Sequence, residues 1–190
     1  HEDHIGGLDD VINSNIQIDK VLMPKMQTNT KTFEDVLDAI QNKGLKIAAP
    51  KKGDTYSLGD ANLEVMTDSI ENKKNLNLSS ITLLMKYGNN SFLFMGDAEK
   101  ENEQTRQWPN VDVLKVGHHG SKTSSSQKFL NQTKPKISII MAGAGNSYGL
   151  PKQEILDRLN NIGSKIYRTD ENGTITAVSD GNQIKINTEK

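Results

Sequence analysis

The chain has no cysteine, and that absence excludes several kinds of chemistry together. It rules out disulfide bonds, thiolate metal sites and a cysteine nucleophile. It does not separate a cytosolic protein from a secreted bacterial one, so the compartment stays unknown. Any metal in this protein is therefore expected to be held by imidazole and carboxylate groups.

Strong net charge and long apolar runs are also lacking. The formal net charge is −1, aromatic residues make up 5% of the chain, and arginine occurs only at Arg106, Arg158 and Arg168. A nucleic-acid binder usually offers a basic groove with stacking aromatics, and bulk composition shows neither. No apolar run approaches the roughly 18 residues of a membrane span, although a signal peptide or membrane segment ahead of His1 stays an open alternative.

Helix-like and strand-like segments alternate along nearly the whole chain. Amphipathic helices are predicted in TKTFEDVLDAIQNKG, with Thr32 as the N-cap, and in LPKQEILDRLNNIG. Shorter helices are predicted in AEKENEQTRQW and SSSQKFLNQT. Turn residues between apolar runs predict hairpins at TYS–LGD–ANLEVM, SITLLMKY–GNN–SFLFMGD and TITAVS–DGN–QIKIN. The pattern predicts a layered α/β fold with mixed sheets, as a single domain over residues 1–190.

The histidines are confined to two tight pairs, each beside glycine, in HEDHIGG and VGHHGS. The second pair follows the apolar run VDVLKV and is therefore expected at the carboxyl end of a buried strand. Asp97 ends another apolar run in the same way, in FMGDAE. Because α/β proteins place their sites at the carboxyl ends of strands, the pattern favours a metallohydrolase site.

Imidazoles and carboxylates together suit Zn²⁺, Mn²⁺ or Fe²⁺, and a carboxylate such as Asp97 can bridge two cations. Two adjacent cations lower the pKa of a bound water and neutralise a phosphoryl oxygen. Taken singly, each motif also has a structural explanation, as an acidic N-cap, a solvated turn or a capping aspartate. Because all the histidines fall in these motifs, the metal site is the favoured interpretation.

The motifs resemble those of the metallo-β-lactamase superfamily, and within it the metal-binding domain of ComEC/Rec2-like competence proteins. HEDHIGG is similar to the second half of H-x-H-x-D-H followed by two glycines, FLFMGDAEKE to the bridging-aspartate strand, and VDVLKVGHHGSKTSSS to the HHGS segment. GAGNSYGLPKQEIL resembles N-x-Y-G-H-P, and YRTDENGTITAVSDG resembles the closing R-T-D-x-x-G hairpin. The similarity extends over essentially the whole chain and implies an αββα sandwich.

The resemblance also implies residue roles. His1 would bind a first metal, Asp3 and His4 a second, and Asp97 would bridge them. One of His118 and His119 would be a ligand and the other an acid or substrate contact, an alternative that the sequence leaves open. The catalytic set is thus Asp3, Asp97, His118 and His119. The expected substrate contacts are Ser121, Lys122 and Thr123 for a phosphoryl group, with Asn146 and Tyr148 at the mouth of the site.

Three departures from the family pattern modify this expectation. The first histidine of H-x-H-x-D-H would precede His1, serines occupy LNLSSITLL where the superfamily has a histidine, and Leu150 replaces the histidine of Y-G-H-P. The expected cofactors are divalent Zn or Mn, up to two per complete domain and one or none in this chain. The leading strands of the sandwich would be missing, which predicts an open sheet edge through which the chain could dimerise.

The function implied by the resemblance is metal-dependent hydrolysis of phosphodiester bonds, with DNA uptake as the setting and DNA or another phosphodiester as partner. A parent protein of that kind would be membrane-tethered. Lysines such as Lys115, Lys122 and Lys128 could supply a local basic patch. Two alternatives stay open: a secreted phosphoester hydrolase that acts on a cell-wall polymer, and a degenerate non-catalytic binding module, which Leu150 and the lost histidine favour.

Overall fold

A computed structural model describes residues 1–190. The strands are β1 (Val21–Leu22), β2 (Ile47–Ala48), β3 (Thr55–Leu58), β4 (Ala61–Val65), β5 (Leu83–Tyr87), β6 (Asn90–Phe94), β7 (Val113–Lys115), β8 (Ile137–Ile140), β9 (Lys165–Arg168), β10 (Ile175–Ser179) and β11 (Ile184–Thr188). The α-helices are α1 (Glu2–Ile5), α2 (Leu8–Asn13), α3 (Lys31–Asn42), α4 (Lys100–Glu103), α5 (Gln127–Thr133), α6 (Gln153–Asn161) and α7 (Thr169–Asn172). Single 3₁₀ turns lie at Leu76–Ser79 and Gly117–Gly120.

The central feature is a seven-stranded sheet in which β3 to β9 lie in chain order. Strands β3 to β6 pair antiparallel, and β6 to β9 pair parallel through helical crossovers. Strands β1 and β2 form a separate parallel pair, and β10 and β11 a separate antiparallel hairpin. The predicted mixed α/β class and all three predicted hairpins are confirmed.

Helices α5 and α6 cover one face of the seven-stranded sheet. Because strand side chains alternate between faces, Leu84, Leu93, Leu114 and Ile140 all point to the same side. There they pack against apolar residues of α5 and α6 and against Trp108, which together form the larger core. Phe129 meets Trp108 edge to face, with ring centroids 5.1 Å apart.

The opposite face of this sheet borders a groove of about 440 Å³ that the β10–β11 hairpin covers in part. Apolar side chains of β5 to β8 line it, among them Met85, Phe94 and Ile139. The edges of the sheet are β3 and β9. Dimerisation through an open edge stays a prediction.

The N-terminal helices pack around a second, smaller core of Ile12, Val36, Ala39 and Ile40. The Nζ of Lys43 donates to the carbonyl oxygens of Ile12 and Ser14, at 2.5 and 2.6 Å, and so ties the end of α2 to the end of α3. Ile5 of α1 packs against this small core, and α1 carries two of the candidate site residues.

Helix α3 begins at Lys31, and its N-cap is Thr30, whose hydroxyl accepts from the backbone N–H of Phe33 at 3.3 Å. The prediction of Thr32 as the cap is wrong, because both threonines suit a cap but only Thr30 has extended backbone angles. None of the helices combines the length and apolar composition that crossing a membrane would require.

Asp112 gives the fold a pH-dependent link between β7 and its neighbours. Its carboxylate accepts from the backbone N–H and hydroxyl of Ser91, both at 2.9 Å, and from Nζ of Lys136 at 2.7 Å. Desolvation raises the pKa of Asp112, but the bonds to Lys136 and Ser91 outweigh it and the net pKa is lowered.

A carboxyl whose folded pKa is lowered contributes stability above its unfolded pKa and loses it as the pH falls through the folded pKa. Asp112→Asn is therefore expected to lower the free energy of unfolding by about 1–3 kcal/mol at neutral pH, and the difference from the wild type should shrink below about pH 4. Urea unfolding of the wild type and of Asp112→Asn, at neutral pH and below about pH 4, measures this difference in the free energy of unfolding. A difference that stays constant with pH would contradict the ion-pair interpretation.

Candidate metal centre

Asp97 follows β6 at the point where the chain turns through Gly96, whose φ of +55° favours glycine. The backbone N–H of Asp97 donates to Oγ of Ser80 at 3.1 Å, and the side chain is only 6% exposed. One carboxylate oxygen, Oδ1, is buried without a hydrogen-bond partner. A buried acceptor without a donor is unfavourable, so this oxygen fits a position that receives a cation.

His119 follows the parallel neighbour β7, and the chain fixes its tautomer. Its Nδ1 lies 2.6 Å from the carbonyl oxygen of Met141, at the end of β8. A carbonyl only accepts, so Nδ1 carries a proton, and Nε2 is left as the nitrogen that can bind a cation. Metal-binding histidines are characteristically oriented by such a bond from the other ring nitrogen. The Nε2 lies 3.2 Å from Oδ2 of Asp3 and 3.4 Å from Oδ1 of Asp97.

Asp3 and His4 come from α1, which lies over these strand ends. The Nε2 of His4 is 2.9 Å from Oδ2 of Asp97, 3.6 Å from Oδ2 of Asp3 and 3.2 Å from Nε2 of His119. The residues Asp3, His4, Asp97 and His119 each offer one ligand atom, and these atoms lie within 4.8 Å of one another.

The spacing of these groups is close to that around a tetrahedral ion. Zn–N and Zn–O bonds of about 2.0–2.1 Å in a tetrahedron place neighbouring ligand atoms roughly 3.3–3.4 Å apart. Five distances between these groups range from 2.9 to 3.6 Å, with His4 measured to Oδ2 and His119 to Oδ1 of Asp97. Two imidazole nitrogens and two carboxylate groups are a donor set that Zn and Mn accept, so these residues fit one divalent cation.

The charges around Asp97 keep it ionised. Burial raises the pKa of this carboxyl, but the hydrogen bond from His4 and the charges of His4, His119 and His118 outweigh it, and the pKa is lowered. An anionic Asp97 is the form that binds a metal ion. Lys115 approaches the same turn from β7 and donates from Nζ to the carbonyl oxygen of Gly96 at 3.0 Å. Burial lowers the pKa of Lys115, and the charges of Asp97 and Asp3 oppose this.

His118 is turned away from the metal cluster towards a second carboxylate. Its Nδ1 lies 3.1 Å from Oε1 of Glu99, a buried residue. Burial raises the pKa of Glu99, but hydrogen bonds from Asn75, Thr123 and Asn77 and the charge of His118 lower it overall. The structure thus brings His119 into the metal cluster and places His118 beside it, with 6.3 Å between the ring centroids.

Both histidines have left-handed backbone angles, with φ of 47° at His118 and 52° at His119. For residues with a Cβ this conformation is unfavourable by roughly 1–2 kcal/mol each. Strain of this kind persists where the surroundings over-determine the backbone, and it concentrates at functional sites.

The strain predicts a reversed order of stability at position 118. Glycine normally destabilises relative to alanine by about 0.5–1 kcal/mol, but at φ 47° the alanine carries the steric penalty. His118→Gly is therefore expected to be more stable than His118→Ala by about 0.5–1 kcal/mol. Urea unfolding of the metal-free variants measures the difference. The same pair of substitutions at the exposed helical residue Gln127 should give the ordinary order, and an ordinary order at both positions would contradict the left-handed geometry.

The other predicted site residues are distributed around this cluster. His1 is exposed and does not belong to the group of four ligands. The hydroxyl of Thr123 is engaged with Glu99 and His118, at 2.8 and 3.0 Å, while Lys122 is exposed. The Oγ of Ser121 lies 3.2 Å from Oγ1 of Thr123. Their roles stay predictions, as do the catalytic roles of Asp3, Asp97, His118 and His119.

The predicted mouth residues lie on the loop that follows β8. Asn146 uses its amide within that loop, donating to the carbonyl oxygen of Leu150 at 2.7 Å and accepting from its N–H at 3.0 Å. Tyr148 is 78% exposed. The loop packs beside the histidine turn, because the backbone N–H of Lys152 donates to the carbonyl oxygen of Gly120. Contact of either residue with a substrate stays a prediction.

Three groups that contact the histidines were not predicted from the sequence: Glu99, Asn77 and the carbonyl group of Met141. Glu99 had a detectable signal, since it stands two residues after Asp97 at the strand-to-helix junction. Asn77 and Met141 had none, because they reach the histidines only through the tertiary fold. Of the lysines considered for a basic patch, Lys115 faces inward, whereas Lys122 and Lys128 are exposed.

Comparisons with known proteins agree with this architecture. Residues 1–144 match the family model of the metallo-beta-lactamase superfamily, and the chain belongs to that family. It is 37% identical over 178 residues to ComE operon protein 3 of Bacillus subtilis, which covers 92% of this chain and 23% of that protein. It is 41% identical over 101 residues to Recombination protein 2 of Haemophilus influenzae, which covers 52% of this chain and 13% of that protein.

The predicted relation to ComEC/Rec2 competence proteins is confirmed, and the chain spans less than a quarter of the length of either relative. Among solved structures, a mutant of the CmlA beta-hydroxylase is similar with a TM-score of 0.52 and 15% identity, over 78% of this chain and 38% of that one. At that identity the likeness concerns the fold alone. Together the fold and the cluster define a metallo-β-lactamase domain with a possible metal site of histidine and aspartate.

Proposed function

We propose that this domain is a metal-dependent hydrolase of phosphodiester bonds that acts on DNA. The observation that carries the proposal is the convergence of Asp3, His4, Asp97 and His119 at the carboxyl ends of parallel strands. Structural explanations, such as helix caps, do not require four ligand atoms from three separate segments to meet. The buried oxygen of Asp97 and the fixed tautomer of His119 also support a metal-binding role.

A divalent cation held there would lower the pKa of a bound water and neutralise a phosphoryl oxygen. The side chains of the cluster hold and orient the ion, and Met141 keeps His119 in the required tautomer. Lys115 supports the turn that carries Asp97. We expect His118, which is adjacent in the chain and outside the ligand set, to contact the phosphodiester itself, since its ring centroid lies 6.3 Å from that of His119.

DNA as substrate is supported by the relation to competence proteins and not by overall charge. The net charge is −1, so a nucleic acid would be held by local contacts. Exposed lysines flank the segments that surround His118: Lys73 and Lys74 precede Asn75, and Lys122 precedes Thr123. Phosphate contacts of this kind should make binding fall with salt concentration.

The metal that we propose is Zn or Mn, with one ion in the four-residue cluster. The donor set of two nitrogens and two oxygens suits both ions. A second ion bound through His1 is a weaker expectation, because His1 lies outside the cluster.

The proposal is tested by removing metal from the chain, reloading it with Mn or Zn, and measuring hydrolysis of three substrates. These are linear single- and double-stranded DNA, bis(4-nitrophenyl) phosphate, and 4-nitrophenyl phosphorylcholine as a mimic of a cell-wall phosphoester. We expect the first two to be cleaved, with activity removed by EDTA and restored by the metal. Cleavage of the choline ester alone would contradict the proposal and support a phosphoester hydrolase that acts on a cell-wall polymer. A chain that binds the metal and cleaves nothing would be the non-catalytic binding module.

A further inference from the structure

A partly buried network of polar side chains surrounds His118 on the side away from the metal cluster. Glu99 is at its centre: Oε2 accepts from Nδ2 of Asn75 at 2.7 Å, and Oε1 accepts from Oγ1 of Thr123 at 2.8 Å. Nδ2 of Asn77 also reaches Oε1, at 3.3 Å. The carboxylate of Glu99 is thus held from both oxygens, although the residue lies in neither a helix nor a strand.

The hydrogen bonds of this network leave one tautomer for His118. Its Nδ1 faces Oε1 of Glu99 at 3.1 Å and Oγ1 of Thr123 at 3.0 Å. A carboxylate only accepts, and the single proton of the threonine hydroxyl is directed at that carboxylate. Both neighbours of Nδ1 therefore require a donor, and Nδ1 must carry the proton.

The other ring nitrogen is then an acceptor. Nδ2 of Asn77 lies 3.3 Å from Nε2 and 3.5 Å from Nδ1 of His118, so this amide contacts the ring without distinguishing its two nitrogens. The orientation of the Asn77 amide is also determined, because the reversed amide would place its oxygen against the carboxylate of Glu99. His118 and His119 are thus held in the same Nδ1–H tautomer by different acceptors, Glu99 and the carbonyl group of Met141.

We infer that Glu99 is a positioning residue that holds His118 in the Nδ1–H tautomer and so presents its Nε2 lone pair to the substrate beside the metal cluster. The inference deepens the proposed function and assumes it in placing a substrate beside His118. The tautomer itself does not depend on activity. It also accounts for a buried carboxylate, two residues from Asp97, that belongs to no metal cluster.

Long-range ¹H–¹⁵N spectra of the metal-free, ¹⁵N-labelled chain report the histidine tautomers directly. The spectra are recorded at increasing pH until the ring signals no longer change. There His118 of the wild type should show the Nδ1–H pattern, with its signals assigned from His118→Gln. In Glu99→Ala the hydroxyl of Thr123 loses its acceptor and turns to Nδ1, so His118 should change to the Nε2–H tautomer. His119 should be unchanged in both.

Two variants control this experiment. Glu99→Gln retains the volume and a carbonyl oxygen that accepts from Nδ1, so a folded Gln variant should keep the wild-type pattern even if the alanine variant does not fold. Glu101→Ala removes an exposed carboxylate two positions further along and should change nothing. An Nε2–H pattern in the wild type, or no change of tautomer in a folded Glu99→Ala, would overturn the inference.

Kinetics separate this inference from the proposed function. On bis(4-nitrophenyl) phosphate, Glu99→Ala should lower kcat by about 10–100-fold, the range for the loss of a residue that orients a site group. KM and the affinity for Mn should stay unchanged, because Glu99 touches no metal ligand in the cluster of four. If Glu99→Ala also lost metal affinity, the idea that Glu99 acts by positioning His118 would be overturned. If the wild type cleaves no substrate, the proposed function fails, while the spectra still decide the tautomer.

Discussion

Asp97→Ala is expected to abolish metal binding by the domain. Asp97 is the most buried of the four ligands, and its two oxygens face both histidines, with His4 at 2.9 Å and His119 at 3.4 Å. Its loss removes a ligand. It also removes a negative charge that compensates the charge of the cation, which the two imidazoles cannot do. Because loss of a residue that only orients a ligand already lowers metal affinity by about 10–100-fold, loss of this ligand should lower it further.

Competition of the protein with a chromophoric chelator for Zn measures this affinity. Asp10→Asn provides the control, since Asp10 is an exposed carboxylate of α2 close in sequence to the HEDH motif. The control should bind Zn as the wild type does, and phosphodiester hydrolysis should disappear only in Asp97→Ala. Equal affinity of Asp97→Ala and the wild type would show that the ion binds elsewhere.

Gly88→Ala is expected to have the largest effect on folding. Gly88 forms the turn between β5 and β6 at a φ of +55°, and the β10–β11 hairpin packs directly on it. A Cβ at this position would lie 2.4 Å from the carbonyl oxygen of Gly181, which is backbone and cannot rotate away. The same contact holds a short hydrogen bond from the N–H of Asn89 to Gly181, at 2.6 Å.

The penalty for Gly88→Ala combines a left-handed alanine, roughly 1–2 kcal/mol, with overpacking of about 1–3 kcal/mol. Gly59→Ala is a matched control, because Gly59 also has a φ of +55° in a hairpin turn but has open space around its Cβ position. Thermal unfolding should show a decrease of only about 2–8 °C for Gly59→Ala and a further decrease for Gly88→Ala. Equal shifts for the two variants would contradict the docked position of the hairpin.

Much of the fold could be predicted from local sequence patterns. The three hairpins follow from glycine-containing turns between apolar runs, where positive φ values are required, and the structure has strand pairs at each of them. The length of α4 was less predictable. AEKENEQTRQW suggested a longer helix, but α4 is limited to Lys100–Glu103. The chain then leaves it so that Trp108 can enter the core and donate to the carbonyl oxygen of Glu103 at 2.7 Å.

The candidate site likewise has some features that the sequence predicts and others that it does not. The positions of Asp97 and the histidine pair at strand ends follow from the apolar runs that precede them. Which histidine belongs to the candidate metal cluster could not be predicted, because the choice depends on acceptors that are distant in sequence or carry no motif. The carbonyl oxygen of Met141 selects Nδ1–H in His119, and Glu99 with Thr123 selects it in His118. These contacts arise only once β6, β7 and β8 lie side by side.

X-ray absorption at the Zn edge of the zinc-loaded chain tests the central claim most directly, because it reports the atoms that surround the ion. Binding by Asp3, His4, Asp97 and His119 predicts one Zn per chain with nitrogen and oxygen neighbours at about 2.0–2.2 Å and the outer-shell scattering of two imidazoles. A shell of oxygen atoms alone, without imidazole scattering, would contradict the account.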